Sequence, residues 1–216
     1  MKNLSIRTAD GLYWIGRYLQ RFSIISRESI KAFDSIIDIN HDEGKELFAK
    51  LGYSIDYTHA NDFFHQIVKQ MNEGSLFSYI SAARENAIAL RDIVDDDLFA
   101  PINISYTRLN THPNPSVKFL ENILNEMYSF WGVIALKTIK KKTHALLEFG
   151  QIVEIIDLKL RLFGDISMVL FDIDRLNRIG KIIYSEFQPV VVHHSNIEKL
   201  IDTINTSIGQ IIHYES

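Results

Sequence analysis

The stretch Leu12–Ser23, L-Y-W-I-G-R-Y-L-Q-R-F-S, decides the fold. Ile15, Leu19, Phe22 and Ile25 recur in steps of four, three and three, and Phe33 and Ile37 extend the pattern. That spacing predicts one helix over about residues 9–38, with Thr8 as N-cap and Asp10 complementing the dipole in the first turn. Opposite this stripe, at 100° per residue, lie Tyr13, Arg17, Gln20 and Ile24. A solvated face does not normally carry Tyr and Ile beside its polar groups, and a helix that is apolar nearly all round is a central one. Arg17 and Gln20 are therefore expected to be at least partly buried, and so to have partners.

The same pattern returns 134 residues later as L-L-E-F-G-Q-I-V-E-I-I-D, Leu146–Asp157. Phe149, Val153, Ile156, Leu160 and Phe163 form its apolar seam, with Leu147, Gln151, Glu154 and Leu158 opposite. Ile15 corresponds to Phe149, Gly16 to Gly150, Leu19 to Val153 and Phe22 to Ile156. The correspondence suggests an internal duplication, with pseudo-repeats 1–112 and 113–216 inside a single domain of 216 residues and the loop Asn110–Pro115 between them.

Outward from these two helices the chain reads as further helices. A turn at 40–44 precedes a short helix over about 45–51, closed near Gly52. A helix follows near Ala60–Met71, and Gly74 breaks it. Ser75 caps a helix over about 76–94 containing S-A-A-R-E-N-A-I-A-L-R-D, Ser81–Asp92, in which Arg84 and Arg91 share a face. Asp95–Asp97 starts the next helix, to about Leu109, with Pro101 in its early turns. Ser116 opens a long helix through Trp131. The second central helix covers about 143–163, Gly164–Asp165 is a turn, and another helix runs to about Phe187. Val190–His194 is the single β-looking run, too short to make a sheet alone. Ser195 caps a last helix to about His213. The fold class is all-α, a helical bundle of long antiparallel helices joined by short loops.

Composition supports this and removes several chemistries. Hydrophobic residues make up 46% and charged residues 23%, an ordinary globular balance, while only 4 Pro and 10 Gly disfavour a turn-rich β fold. With no cysteine, disulfides, thiolate catalysis and Cys-ligated zinc are excluded, and a reducing cytoplasm is the expected setting. A net charge of −4 predicts no general attraction to nucleic acid. No leader-type apolar region opens the chain and no uninterrupted apolar run reaches membrane length, so no membrane association is expected. Neither G-x-x-x-x-G-K-[ST] nor G-x-G-x-x-G occurs, and the eight histidines lack metal-binding spacing, His193–His194 included. No cofactor and no metal are implied.

Three runs resemble one family. R-T-A-D-G-L-Y-W-I-G-R-Y-L-Q-R, Arg7–Arg21, resembles the T-A-D-x-L-Y-W-L-G-R-Y-L-E-R opening of the bacterial alpha-E domain family. A-R-E-N-A-x-x-x-R-D, Ala83–Asp92, resembles its central motif. G-Q-I-V-E-I-I-D, Gly150–Asp157, resembles its second motif, G-R-x-L-E-R-A-D. The resemblance implies an α-helical bundle whose genes lie beside ATP-grasp-type peptide ligases and transglutaminase-like proteases, and hence a part in making or modifying peptides. The departures are Gln20 for the first motif's Glu, and Gln151 and Ile155 for both arginines of the second.

The residues that could carry chemistry are Arg17, Gln20, Arg21, Arg84, Glu85, Asn86, Arg91, Glu154 and Asp157. On one reading they form a polar pocket for an anionic or peptide-like ligand. Arginine forks would grip it, and Glu154, raised in pKa by burial, would act as general base. On the other they are a buried ion-pair network that fixes helix register. The first makes the protein a ligand-binding enzyme. The second makes it an accessory protein partnering an ATP-grasp-type ligase or a transglutaminase-like protein, and self-association stays open under both. Lys137–Lys142 reads as a solvated helix end or as a patch for an acidic partner or nucleic acid. Tyr13, Trp14, Tyr18, Phe130 and Trp131 read as core and helix-contact aromatics.

Overall fold

The computed structural model describes residues 4–70, 74–136, 141–192 and 196–213, with Gln70, Lys141 and His213 described by backbone alone. Met71, most of the Lys137–Lys142 run, His193–His194 and the expected cap Ser195 lie outside the described residues.

The described residues form nine α-helices and no strand. They are α1 Ile6–Asp38, α2 Glu43–Lys50, α3 Ala60–His65, α4 Leu76–Ala89, α5 Asp96–Thr111, α6 Val117–Leu136, α7 Lys141–Phe163, α8 Leu170–Ile183 and α9 Ile197–His213. The all-α fold is as the sequence predicts.

The chain divides into two compact units, 1–20 with 137–216 and 21–136, so α1 lends its first part to one and the remainder to the other. In the first unit α7 packs on α8. Leu12, Ile15, Leu19, Phe149, Ile152, Ile156, Leu176, Phe187 and Leu200 are fully buried there. Gly180 leaves room for the Phe187 ring, which also meets Phe149 edge to face at 6.2 Å. In the second unit α4 packs on α5 and α5 on α6. Ala83 and Ala87 are completely buried, which is how the small residues of α4 serve close packing. Phe33 of α1 meets Phe64 of α3 edge to face at 5.4 Å.

Several boundaries depart from the pattern reading. Thr8 is not the cap of α1: the Ser5 hydroxyl accepts the Thr8 amide at 3.2 Å, a turn earlier. Ser75 is a cap as expected, accepting from the Ser78 amide, and at the start expected for α5 Asp95 caps by accepting from the Leu98 amide. Ser116 accepts from the Phe119 amide in the same manner. α4 ends at Ala89, not near Val94, because residues 90–93 turn, so Arg91 stands past the helix end. α3 gives way to a π-helical turn, Gln66–Gln70. The run after Gly164 is a 3₁₀ turn, Ile166–Val169, followed by α8, which stops at Ile183. Residues 190–192 of the β-looking run are not a strand. Ile37, read as a core position, is 60% exposed, because the buried face of α1 runs through Ala32 and Ile36 and leaves Ile37 about 100° away from it.

Candidate functional site

The polar face of α1 that looked anomalous meets the matching face of α7. Residues 13, 16, 17 and 20 occupy two successive turns of one stripe, as do 147, 150, 151 and 154. A Cβ at Gly16 would fall well inside contact distance of the Leu147 carbonyl oxygen and 3.1 Å from the Gln151 nitrogen. One at Gly150 would do the same to the Tyr13 carbonyl oxygen and lie 3.2 Å from the Arg17 nitrogen. The two backbones thus touch where both helices carry glycine, and no larger residue fits there unless the helices move apart.

That approach draws two side-chain pairs together across the contact. Arg17 Nε donates to Glu154 Oε2 at 2.6 Å, and Arg17 Nη2 lies 3.5 Å from Asp157 Oδ2. Arg17 Nη1 donates to the Tyr13 hydroxyl at 3.2 Å, and the guanidinium stands 5.3 Å from the Trp14 ring centre. Asp157 also accepts from Arg161 Nε at 3.0 Å, one turn along α7. On the other side Gln151 Nε2 donates to Gln20 Oε1 at 3.2 Å. The Glu154 side chain is 1% exposed and that of Arg17 16%. Burial would lower the Arg17 pKa, but the Glu154 carboxylate and the Tyr13 hydroxyl more than offset it, so Arg17 is held cationic. Burial raises the Tyr13 phenol above its ordinary value, against partial lowering by Arg17.

The remaining sequence-chosen residues lie in the second unit. The Arg21 guanidinium sits 5.8 Å from the Tyr79 ring centre. Arg84 donates from Nε to Asn103 Oδ1 at 2.8 Å and covers the Tyr106 ring at 4.4 Å. Arg91 pairs with Asp96 and covers the Phe99 ring at 4.3 Å. Asn86 turns back to the Ala82 carbonyl of its own helix at 3.0 Å, and Glu85 is exposed. Arg84 and Arg91 therefore engage different positions along α5.

Pattern reading missed two features. Lys159 Nζ pairs with Asp172 Oδ2 at 2.8 Å, joining α7 to α8, with Asp172 almost fully buried. Its signal was a single acid between Val169, Ile173 and Leu176 on a buried face, which local spacing cannot connect to a lysine on another helix. The second is an open cleft of about 290 Å³ in the second unit, lined by Ile36, Ile37, His41, Thr58, His59, Ala60 and Asn61. There His41 Nε2 lies 3.2 Å from the Thr58 carbonyl oxygen, and His59 Nδ1 accepts the Asp62 amide. None of the sequence-chosen residues lines this cleft. Among the described residues no group of three or more His, Asp or Glu is arranged to hold a metal. No described helix is long and apolar enough to cross a membrane.

A family model described as an α-helical domain with a conserved ER motif matches residues 4–177. No curated protein and no solved structure matches the chain.

Proposed function

The chain belongs to the Alpha-E family, and from that premise we propose that it is an accessory protein of an ATP-grasp-type peptide ligase or related peptide-modification system, one that binds and positions its partner without turning over a substrate. The observation that carries this reading is the state of Glu154. A general base must reach a substrate proton, and this carboxylate is 1% exposed and already engaged by Arg17. No Glu-Arg dipeptide occurs anywhere in the chain, since its two places read Gln20–Arg21 and Glu154–Ile155. An acid and an arginine still meet, but across two helices, as Glu154 and Arg17. That arrangement suits a clamp that holds helices in register.

The test is co-expression with the ATP-grasp-type ligase encoded nearest this gene, the ligase alone carrying the tag. Stoichiometric co-elution that survives size-exclusion chromatography is expected, and separate elution of two folded proteins overturns the proposal. Thermal shifts with ATP, amino acids and short peptides address the alternative of a ligand-binding enzyme, because a ligand taken up only by the folded state raises its melting temperature. A stabilisation by any of these that disappears in a folded Glu154→Gln variant would favour the alternative.

A further inference from the structure

The contact between α1 and α7 has a symmetry that the function proposed above does not require. Exchange each residue i of α1 with residue i+134 of α7. Gly16 against the Leu147 carbonyl then becomes Gly150 against the Tyr13 carbonyl, and both contacts are present. Gly16 against the Gln151 nitrogen, 3.1 Å, becomes Gly150 against the Arg17 nitrogen, 3.2 Å. The pair Arg17–Glu154 becomes Gln151–Gln20, and both are bonded. A shared amphipathic pattern does not produce this. Two unrelated helices can have similar stripes, but these glycine contacts and side-chain bonds recur with the helices' roles reversed only if the contact has a local two-fold axis.

We infer that α1 and α7 are equivalent helices of a duplicated chain joined by a two-fold pair of clamps, and that Gln20 and Gln151 are one clamp converted to neutral form as a unit. Symmetry places Gln151 where the arginine stands on the other side, and Gln20 where the glutamate stands. Had only one of them been exchanged, a charge would be left without its partner at a buried contact, the costliest arrangement available. With both exchanged, no unpaired charge remains and the amides bond to each other. The third member of the charged side follows the same rule, since Asp157 maps onto Ser23. The contact thus keeps its shape while one half gives up its ions.

The test is a double-mutant cycle in the full chain with Gln20→Glu, Gln151→Arg and the double variant, read as melting temperature. Each single variant should melt roughly 3–6 °C below the parent, and the double variant should regain most of the loss. Losses that simply add would overturn the inference. The reciprocal variant Arg17→Gln with Glu154→Gln, which copies the amide clamp onto the charged side, keeps the test decisive if the first set folds poorly. It should melt above Arg17→Gln alone, and melting at or below that single variant would also overturn the inference.

Discussion

Arg17 in the first unit and Arg91 in the second belong to motifs of the same family, and their surroundings differ in a way that separates two uses of one residue. Arg17 is 16% exposed and its main partner Glu154 1%, with glycine backbones in contact beside them. Arg91 is 39% exposed and its partner Asp96 90%, the first in the α4–α5 turn and the second at the first position of α5. Water can solvate either Arg91 or Asp96 if the other is removed. It cannot reach Glu154 in the same way, so that carboxylate relies on partners within the protein, Arg17 among them. Charge pairs of similar appearance in sequence are therefore expected to differ several-fold in energetic weight.

Arg17→Met should show the largest effect, a loss of about 3–5 kcal/mol in unfolding free energy by urea titration, because it takes a bonded cation from the buried Glu154 carboxylate. A loss under about 1 kcal/mol would erase the contrast with Arg91. Next come Gly16→Ala and Gly150→Ala, each expected to cost about 2–3 kcal/mol by overpacking. Their losses should also be nearly equal, because each methyl meets the equivalent carbonyl of the opposite helix. Unequal losses would break the two-fold relation and leave the ion pair untouched.

Tyr13→Phe removes the hydroxyl that accepts from Arg17 and should cost about 1 kcal/mol near neutral pH. It also carries a pH signature. The folded-state pKa of Tyr13 is raised above its ordinary 10.0, chiefly by burial. Below pH 10.0 the phenol is protonated in both states and adds no pH dependence. As pH rises beyond that value the unfolded chain ionises first, so stability falls until the folded pKa is reached. The variant should lose this part of the alkaline decline, measurable by urea titrations at neutral and alkaline pH. Arg91→Ala should show the smallest effect, about 0.5–1 kcal/mol, for an exposed ion pair and a partly exposed ring contact.

Much of the fold was legible because period and capping report local physics. The apolar steps from Ile15 to Ile25 and from Phe149 to Phe163 are helical, and Ser75 and Asp95 act as caps for the reasons their chemistry gives. The polar stripe containing Arg17 and Gln20 announced burial because charged and aromatic residues shared it, and both proved largely buried. What spacing could not supply was partnership. Arg84 and Arg91 lie seven positions apart, but the helix ends between them and each goes to a different residue of α5. Lys159 and Asp172 pair through the packing of α7 on α8, which no local pattern encodes. Gln20 and Gln151 were visible as two separate departures from a motif. Only the contact of α1 with α7 shows them bonded to each other.

A structural clamp of Glu154 and Arg17 is worth more whole or absent than half-removed. The most direct measurement is the unfolding free energy of Glu154→Leu combined with Arg17→Met, set beside Arg17→Met alone. A clamp removed whole leaves no stranded charge, so the double variant should fold and recover at least about 2 kcal/mol of the single variant's loss. A double variant no more stable than Arg17→Met alone would contradict the account.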